Sequence, residues 1–211
     1  MVYNIHEVIR DVRVCLDQNM ESDQLLLTGD VDTLSLDEIV RSKILEAVVR
    51  VHTKAPTYLL ESGHNFGDAV YWGDMESGWV LLPEDFMRLI VFEMSDWERP
   101  VYLAISVEEP DYARQRQRVK ALRGTAQKPV CAIGQRQEGR ILEFYSCKSE
   151  KAYVRRAKYL PYPKIDRDEG IDICERCYRA VVNAAASLTL LTLGESEKSA
   201  SLMEISNAEL E

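Results

Sequence analysis

The chain has 211 residues, of which 46% are hydrophobic and 29% are charged, and its net charge is −9. A chain of this length can bury roughly 70% of its unfolded surface, and its apolar fraction is too high for a wholly disordered protein. Its ten glycines and seven prolines exclude a collagen-like or low-complexity chain. Five scattered cysteines fit reduced cytosolic thiols better than a disulfide framework.

No segment predicts a signal peptide or a membrane span. The N-terminal stretch carries charges where an apolar core of a signal peptide would lie. The longest nearly apolar run, residues 180–193, has 14 residues, whereas a spanning helix needs about 20. We therefore expect a soluble protein that is made in the cytosol and does not contact a membrane.

The first two predicted elements are amphipathic helices. Residues 4–18 place five apolar side chains on one helical face: Ile5, Val8, Ile9, Val12 and Leu16. Ser35 and Glu38 have the spacing of a capping box, which predicts the start of the second helix. We expect that helix to end near Ala55, because Pro56 disfavours helical geometry in the residue before it.

The middle of the chain predicts a β-rich region. Residues 61–78 hold four of the ten glycines and are typical of a long loop or ragged hairpin. Strands are predicted where short apolar runs lie between turn residues: 87–92, 101–106, 129–133, 140–147 and 152–159. The basic stretch 111–123 predicts a helix or an ordered loop, because its apolar stripe is thin.

The last long element is predicted as one helix from Ile171 to Leu193, with Gly194 at its C-cap. The alanines at 184–186 would let another element approach closely. Three apolar residues of the polar tail are spaced for a weak outer helix: Leu202, Ile205 and Leu210.

This order of elements predicts an α+β fold, because helices and strands come in runs instead of alternating. Helices from both chain ends are expected to pack together, with a small, mainly antiparallel, β-rich lobe in the middle. We expect a single domain over 1–211, with a helical part at 1–60 and 168–211 and a β-rich insertion over about 70–165.

Charge is unevenly distributed along the chain. Residues 1–111 carry a net charge of −14, residues 112–167 carry +11, and residues 168–211 carry −6. Three explanations remain open. The basic region is a solvated face or is neutralised within the monomer, it meets an acidic surface of a second subunit head to tail, or it binds nucleic acid.

No catalytic motif or phosphate-binding glycine loop is recognisable. Cys174 and Cys177 have a metal-like spacing but no second pair of ligands with matching spacing, so we expect them to pack in a helix. An enzyme site, if there is one, is expected around His64 and the loop that carries Trp72 and Trp79, although an exposed loop histidine also explains His64. The sequence predicts no metal and no cofactor.

In the order of its elements and in its sequence pattern, the chain resembles the head-to-tail adaptor (connector) proteins of tailed bacteriophages and prophages. The resemblance covers most of the chain. It rests on the second helix, SLDEIVRSKILEAVVRVHTKAPTYLL, and on the segment VLLPEDFMRLIVFEMSDW that leads into the β region. It also rests on DYARQRQ followed by KPVCAI and ILEFYSC, and on the alanine-rich helix AVVNAAASLTLLTLGE.

This resemblance implies a structural, non-enzymatic virion protein that forms a ring below the portal, through which DNA passes. It implies contacts with other copies, with portal and tail proteins and with DNA, and a subunit that is cytoplasmic and can be monomeric before assembly. Seven basic residues are the candidate partner or DNA contacts: Arg114, Arg116, Arg118, Lys120, Arg123, Arg155 and Arg156. The alternative is a nucleic-acid-binding regulatory protein that uses the basic segment 112–167.

Overall fold

A computed structural model describes residues 1–16, 34–61, 63–115, 117, 119, 122–145 and 147–211. The predicted α+β fold is confirmed. The chain divides into two compact units, which we call the helical unit (Met1–Glu61 with Pro163–Glu211) and the β unit (Ser62–Tyr162). The single domain with an insertion over about 70–165 stays a prediction.

Helices and strands follow one another along the chain in this order. The elements are β1 (Val2–Asn4), α1 (Ile5–Cys15), α2 (Leu36–Lys54), β2 (His64–Asn65), β3 (Tyr71–Trp72), β4 (Gly78–Leu81), β5 (Phe86–Met94), β6 (Ile105–Ser106), α3 (Pro110–Gln115), β7 (Cys131–Arg136), β8 (Gly139–Phe144), β9 (Val154–Pro161), β10 (Gly170–Asp172), α4 (Tyr178–Thr192) and α5 (Ser196–Ala208). No helix in the described ranges is both long and apolar enough to cross a membrane.

The first two helices follow the predicted signals. The predicted apolar face of α1 is buried, and residues 17 and 18 of that prediction lie outside the described residues. Ser35 and Glu38 form the capping box: the Ser35 N–H donates to Glu38 Oε2 at 2.7 Å, and the Glu38 N–H donates to Ser35 Oγ at 3.3 Å. α2 ends at Lys54, directly before Ala55 and Pro56.

The prediction of one helix from Ile171 to Leu193 is wrong at its start. Gly170–Asp172 pairs with the N-terminal strand β1 in an antiparallel two-stranded sheet. A 3₁₀ turn at Glu175–Cys177 follows, so α4 begins only at Tyr178. Strand pairing with the opposite end of the chain overrides the local helical pattern. The other end agrees with the prediction, since Gly194 follows α4 with a φ of +87°.

α4 is the central helix of the helical unit. Every residue from Ala184 to Leu190 is buried, and the helix packs against α1, α2 and α5. A helix that is enclosed on all sides must be apolar or small around its whole circumference. The three alanines meet this requirement, and they let the neighbouring helices approach closely.

The tail forms the predicted helix, α5, but one of its three spaced apolar residues is exposed, and serines share the buried face. Ile205 is 48% exposed, whereas Ser199 and Ser206 are buried. The Ser206 hydroxyl donates to the Ala180 carbonyl at 2.7 Å, and the Ser187 hydroxyl donates to the Ser199 carbonyl at 2.7 Å. Hydroxyl groups with partners on the facing helix are therefore buried between α4 and α5.

Ser206→Ala is expected to lower the free energy of unfolding of the helical unit by about 1 kcal/mol, because a buried side-chain hydrogen bond between helices is lost. Ser201→Ala is the matched control, since the Ser201 hydroxyl bonds only within α5 and is exposed. Urea unfolding followed by far-ultraviolet circular dichroism measures both. Equal effects of the two substitutions would contradict the expectation.

The β unit contains two sheets, both mainly antiparallel as predicted. One has the strand order β2-β9-β5 and the other β3-β4-β8-β7-β6, in which only β6 and β7 are parallel. The predicted strand at 101–106 is shorter than expected: Val101 bridges Phe92, and regular pairing is limited to Ile105–Ser106. The stretch 111–123, predicted as a helix or an ordered loop, is α-helical only to Gln115 among its described residues: residues 117, 119, 122 and 123 are not α-helical, and residues 116, 118, 120 and 121 lie outside the described residues.

The two sheets of the β unit share one apolar core. Phe86 and Phe92 from β5 and Phe144 from β8 are fully buried. Phe92 lies between both sheets, with its ring centroid 5.9 Å from that of Phe144. The described part of the 61–78 segment contributes β2, β3 and the first residue of β4, and its Phe66 belongs to this core.

Candidate functional site

The most polar buried cluster of the β unit is built on β8. Leu142 and Phe144 of this strand belong to the apolar core. Because side chains alternate along a strand, Glu143 lies on the opposite face. There it is flanked by Trp79 on β4 and Ala132 on β7 in the strand register. A carboxylate, only 9% exposed at its side chain, is thus held at the centre of a five-stranded sheet.

Glu143 accepts three hydrogen bonds from side chains. Tyr112 Oη lies 3.0 Å away and Arg136 Nη2 lies 3.1 Å away, and the Tyr145 hydroxyl also donates to the carboxylate. Burial alone would raise the pKa of Glu143, but these three donors outweigh it and lower that pKa below its usual value. Burial and the adjacent Glu143 raise the pKa of Tyr145 far above its usual value. The carboxylate is therefore ionised and the phenol neutral at physiological pH.

Aromatic rings cover one side of this cluster. The Arg136 guanidinium lies 3.9 Å from the centroid of the Trp79 ring, and Tyr71 stacks with Trp79 at 5.6 Å. A guanidinium at this distance from an indole face forms a cation–π contact. Arg136 is thus fixed by both an ion pair and an aromatic ring.

Two cavities adjoin the cluster, with volumes of about 500 and 430 Å³. The larger is lined by the 73–78 turn, in which Met75 and Glu76 both have a φ of +60°. Consecutive residues other than glycine in this region are uncommon and strained. Arg123 lines both cavities, and its Nη1 donates to the Met75 carbonyl at 3.3 Å. This contact helps to hold the strained turn.

The predicted basic contact residues have separate positions. Arg114 is on α3, where it pairs with Asp111 at 2.7 Å. Arg155 and Arg156 on β9 both bind the buried carboxylate of Glu93, at 3.3 and 2.6 Å. Among the candidate residues that the structure describes, Arg155 and Arg156 are thus the two that share a partner, Glu93.

The remaining predicted contacts divide into two groups. Arg116, Arg118 and Lys120 lie outside the described residues. Arg123 was predicted as a surface contact, but it is only 9% exposed. It follows a basic stretch that contains four of the other candidate residues, so the sequence does not distinguish it from an exposed arginine.

The residues of the alternative sites, His64, Cys174 and Cys177, are all described by the structure. His64 is exposed on β2 and makes an edge contact with Tyr159. Cys174 and Cys177 are buried, and burial raises the pKa of Cys177 to about 11, so this thiol is poorly reactive. His52 Nε2 accepts the Cys174 N–H at 3.3 Å. Across the described parts of the chain, no three His, Cys, Asp or Glu side chains are grouped closely enough to hold a metal ion.

The chemistry of the cluster favours binding over proton transfer. The pKa values of Glu143 and Tyr145 are both moved away from neutrality, and burial raises the pKa of Cys147, beside the smaller cavity, to about 12. Sequence reasoning missed this cluster. The one available signal was a glutamate inside an otherwise apolar strand, ILEF, which predicts either a bulge or a partnered carboxylate.

The comparison with known proteins identifies no relative. No model of a known protein family matches the chain, and no curated protein matches it significantly.

Proposed function

We propose that this protein is a structural subunit of a tailed-bacteriophage or prophage particle: a head-to-tail adaptor that forms a ring below the portal, through which DNA passes. The subunit acts through its surfaces and catalyses no reaction. It is made in the host cytoplasm and becomes part of the virion on assembly. Its partners are further copies of itself and the portal and tail proteins.

One observation carries this proposal, namely an exposed apolar edge on the β unit. We call it the β6 edge and define it by Tyr102, Leu103 and Val107, which are 51%, 78% and 43% exposed. Within the described residues, β6 is the last strand of its sheet. The backbone N–H and carbonyl of Ser106 are both bonded to Glu109, so it is the exposed apolar side chains at this edge that another chain can cover.

A head-to-tail contact between copies would bring together two units of different net charge. The helical unit carries 11 basic and 21 acidic residues, a net charge of −10. The β unit carries 15 basic and 14 acidic residues, a net charge of +1. A contact between the β unit of one copy and the helical unit of the next would be heterologous, and repetition of such a contact closes a ring where the rotation between copies allows it.

The nucleic-acid-binding alternative has less support. Arg114, Arg155 and Arg156 are each more than half exposed at the side chain, but each already pairs with a carboxylate of the same chain. Binding to a phosphate would have to compete with these ion pairs. Affinity for duplex DNA that falls steeply with salt would nevertheless favour this alternative.

Leu103→Glu tests the proposal, because it places a charge on the most exposed residue of the β6 edge. We expect the wild-type chain to associate at high concentration into ring-shaped particles, measured by sedimentation velocity and electron microscopy. Leu103→Glu should weaken that association at least about tenfold, a cost of roughly 1.4 kcal/mol per contact.

Tyr153→Glu is the matched control, since Tyr153 is 67% exposed and directly precedes β9, in the sheet of the β unit that does not contain β6. Both variants should keep the wild-type melting temperature, because exposed substitutions change stability little. Because the subunit can be monomeric before assembly, the ring proposal would be contradicted by a wild-type chain that stays monomeric both alone at high concentration and when mixed with a portal ring. Equal loss of association in both variants would contradict the β6 edge as the contact.

A further inference from the structure

Arg123 is a buried cation without a carboxylate partner. Arg123 is only 9% exposed, and it lines both cavities. Its described hydrogen bond is the one from Nη1 to the Met75 carbonyl, and its Nε is buried without a partner. In the described part of the chain, no carboxylate lies within 4.0 Å of this guanidinium.

The other cations that line the cavities are neutralised. Arg136 pairs with Glu143 at 3.1 Å and Lys148 pairs with Glu98 at 3.7 Å. Asp74 and Glu76 also line the cavities. Among the described cations that line them, Arg123 is the one that forms no ion pair with a described carboxylate.

A buried charge without a counterion is unfavourable, because the loss of hydration is not offset by an attractive partner. A guanidinium presents its donors as a planar fork that matches the two oxygens of a carboxylate or phosphate. The cavities give such a group access to Arg123. We propose that Arg123 is the anchor of an oxyanion-binding site, which takes a carboxylate or phosphate group as its ligand.

This proposal goes beyond the adaptor function and does not depend on it. The ligand can be a free anion, or it can be a carboxylate of a second copy of the chain. The chemistry at Arg123 is the same in both cases, so the experiment must separate the two sources.

The test is a titration of the full-length chain with inorganic phosphate at constant ionic strength. Heteronuclear NMR of the arginine Nε–Hε groups should show a saturable shift at Arg123, because an anion bound to the guanidinium changes the environment of this group. When the phosphate concentration is ten times the dissociation constant, the melting temperature of the β unit should be about 5 °C higher than without phosphate. Acetate should compete for the same signal.

Arg123→Gln should abolish the phosphate-dependent rise in melting temperature, whereas Arg114→Gln should retain it. Arg114 is the matched control because it is exposed and already paired with Asp111. If Arg123→Gln does not fold, the NMR titration of the wild-type chain still tests whether Arg123 binds the anion. A shift at Arg123 that depends on protein concentration without added phosphate identifies a carboxylate of a second copy as the source.

Two results would overturn the proposal. One is an unchanged Arg123 signal at about 50 mM phosphate or acetate, a concentration well above a millimolar dissociation constant. The other is an equal phosphate-dependent stabilisation of the wild type and Arg123→Gln. Neither result bears on ring formation, so failure of this site and failure of the adaptor proposal remain distinguishable.

Discussion

Glu143→Gln is expected to lower the free energy of unfolding of the β unit by about 2–3 kcal/mol at neutral pH. The carboxylate accepts from Tyr112, Arg136 and Tyr145. A neutral amide has only one oxygen acceptor, and its own N–H groups would face these donors. The Tyr145 hydroxyl would then lose a full partner in a buried position, which is costly.

The measurement is urea unfolding followed by tryptophan fluorescence. All three tryptophans, at 72, 79 and 97, lie in the β unit, so this signal reports on the unit that contains Glu143. Glu138→Gln is the matched control, because Glu138 is exposed in the turn between β7 and β8. A loss below about 0.5 kcal/mol, the size of an ordinary surface effect, would show that Glu143 does not hold the cluster together.

The stability difference between the wild type and Glu143→Gln is also expected to depend on pH. The pKa of Glu143 in the folded protein lies below its value in the unfolded chain, which is about 4.3. Its stabilising contribution is therefore fully present above about pH 4.3 and is lost as the pH falls through the lower, folded-state pKa. The difference in stability between wild type and Glu143→Gln should be constant near neutrality and should shrink in acid. A difference that grows in acid would contradict the lowered pKa.

The features that sequence predicted best have their causes within a few residues. The capping box at Ser35 and Glu38 and the helix end before Pro56 both depend on local backbone chemistry, which the sequence displays directly. The buried face of α1 likewise follows from the spacing of its apolar residues. These elements form as predicted because no long-range contact opposes them.

The features that sequence missed depend on partners far away in the chain. The 170–172 segment reads as helical until β1 is known to pair with it. Ser206 looks like a solvent-exposed residue until the Ala180 carbonyl is placed opposite it. Arg155 and Arg156 look like free cations, but Glu93 on β5 binds both. Periodicity within one segment contains no information about the element that faces it.

Phe144→Ala is expected to have the largest effect on stability, a loss of about 3–5 kcal/mol in the β unit. Phe144 is fully buried, and its ring contacts Trp72, Phe92 and Trp97 at centroid distances of 5.5, 5.9 and 6.4 Å. Removal of the ring leaves a cavity between two sheets whose backbones cannot collapse to fill it. Urea unfolding followed by tryptophan fluorescence measures the loss, and a value below about 2 kcal/mol would mean that the core repacks.

Gly78 provides an independent check on the position of the Phe144 ring. A Cβ atom at residue 78 would lie 2.6 Å from Phe144 Cζ and 2.7 Å from the Tyr71 carbonyl oxygen. Gly78→Ala should therefore destabilise the β unit, and less so when Phe144 is already alanine, because one of the two clashes is then absent. Gly73→Ala is the matched control, since its added Cβ would meet no atom closer than 3.5 Å. Strictly additive effects of Gly78→Ala and Phe144→Ala would show that the ring does not pack against β4, and the two-sheet core would then need a different arrangement.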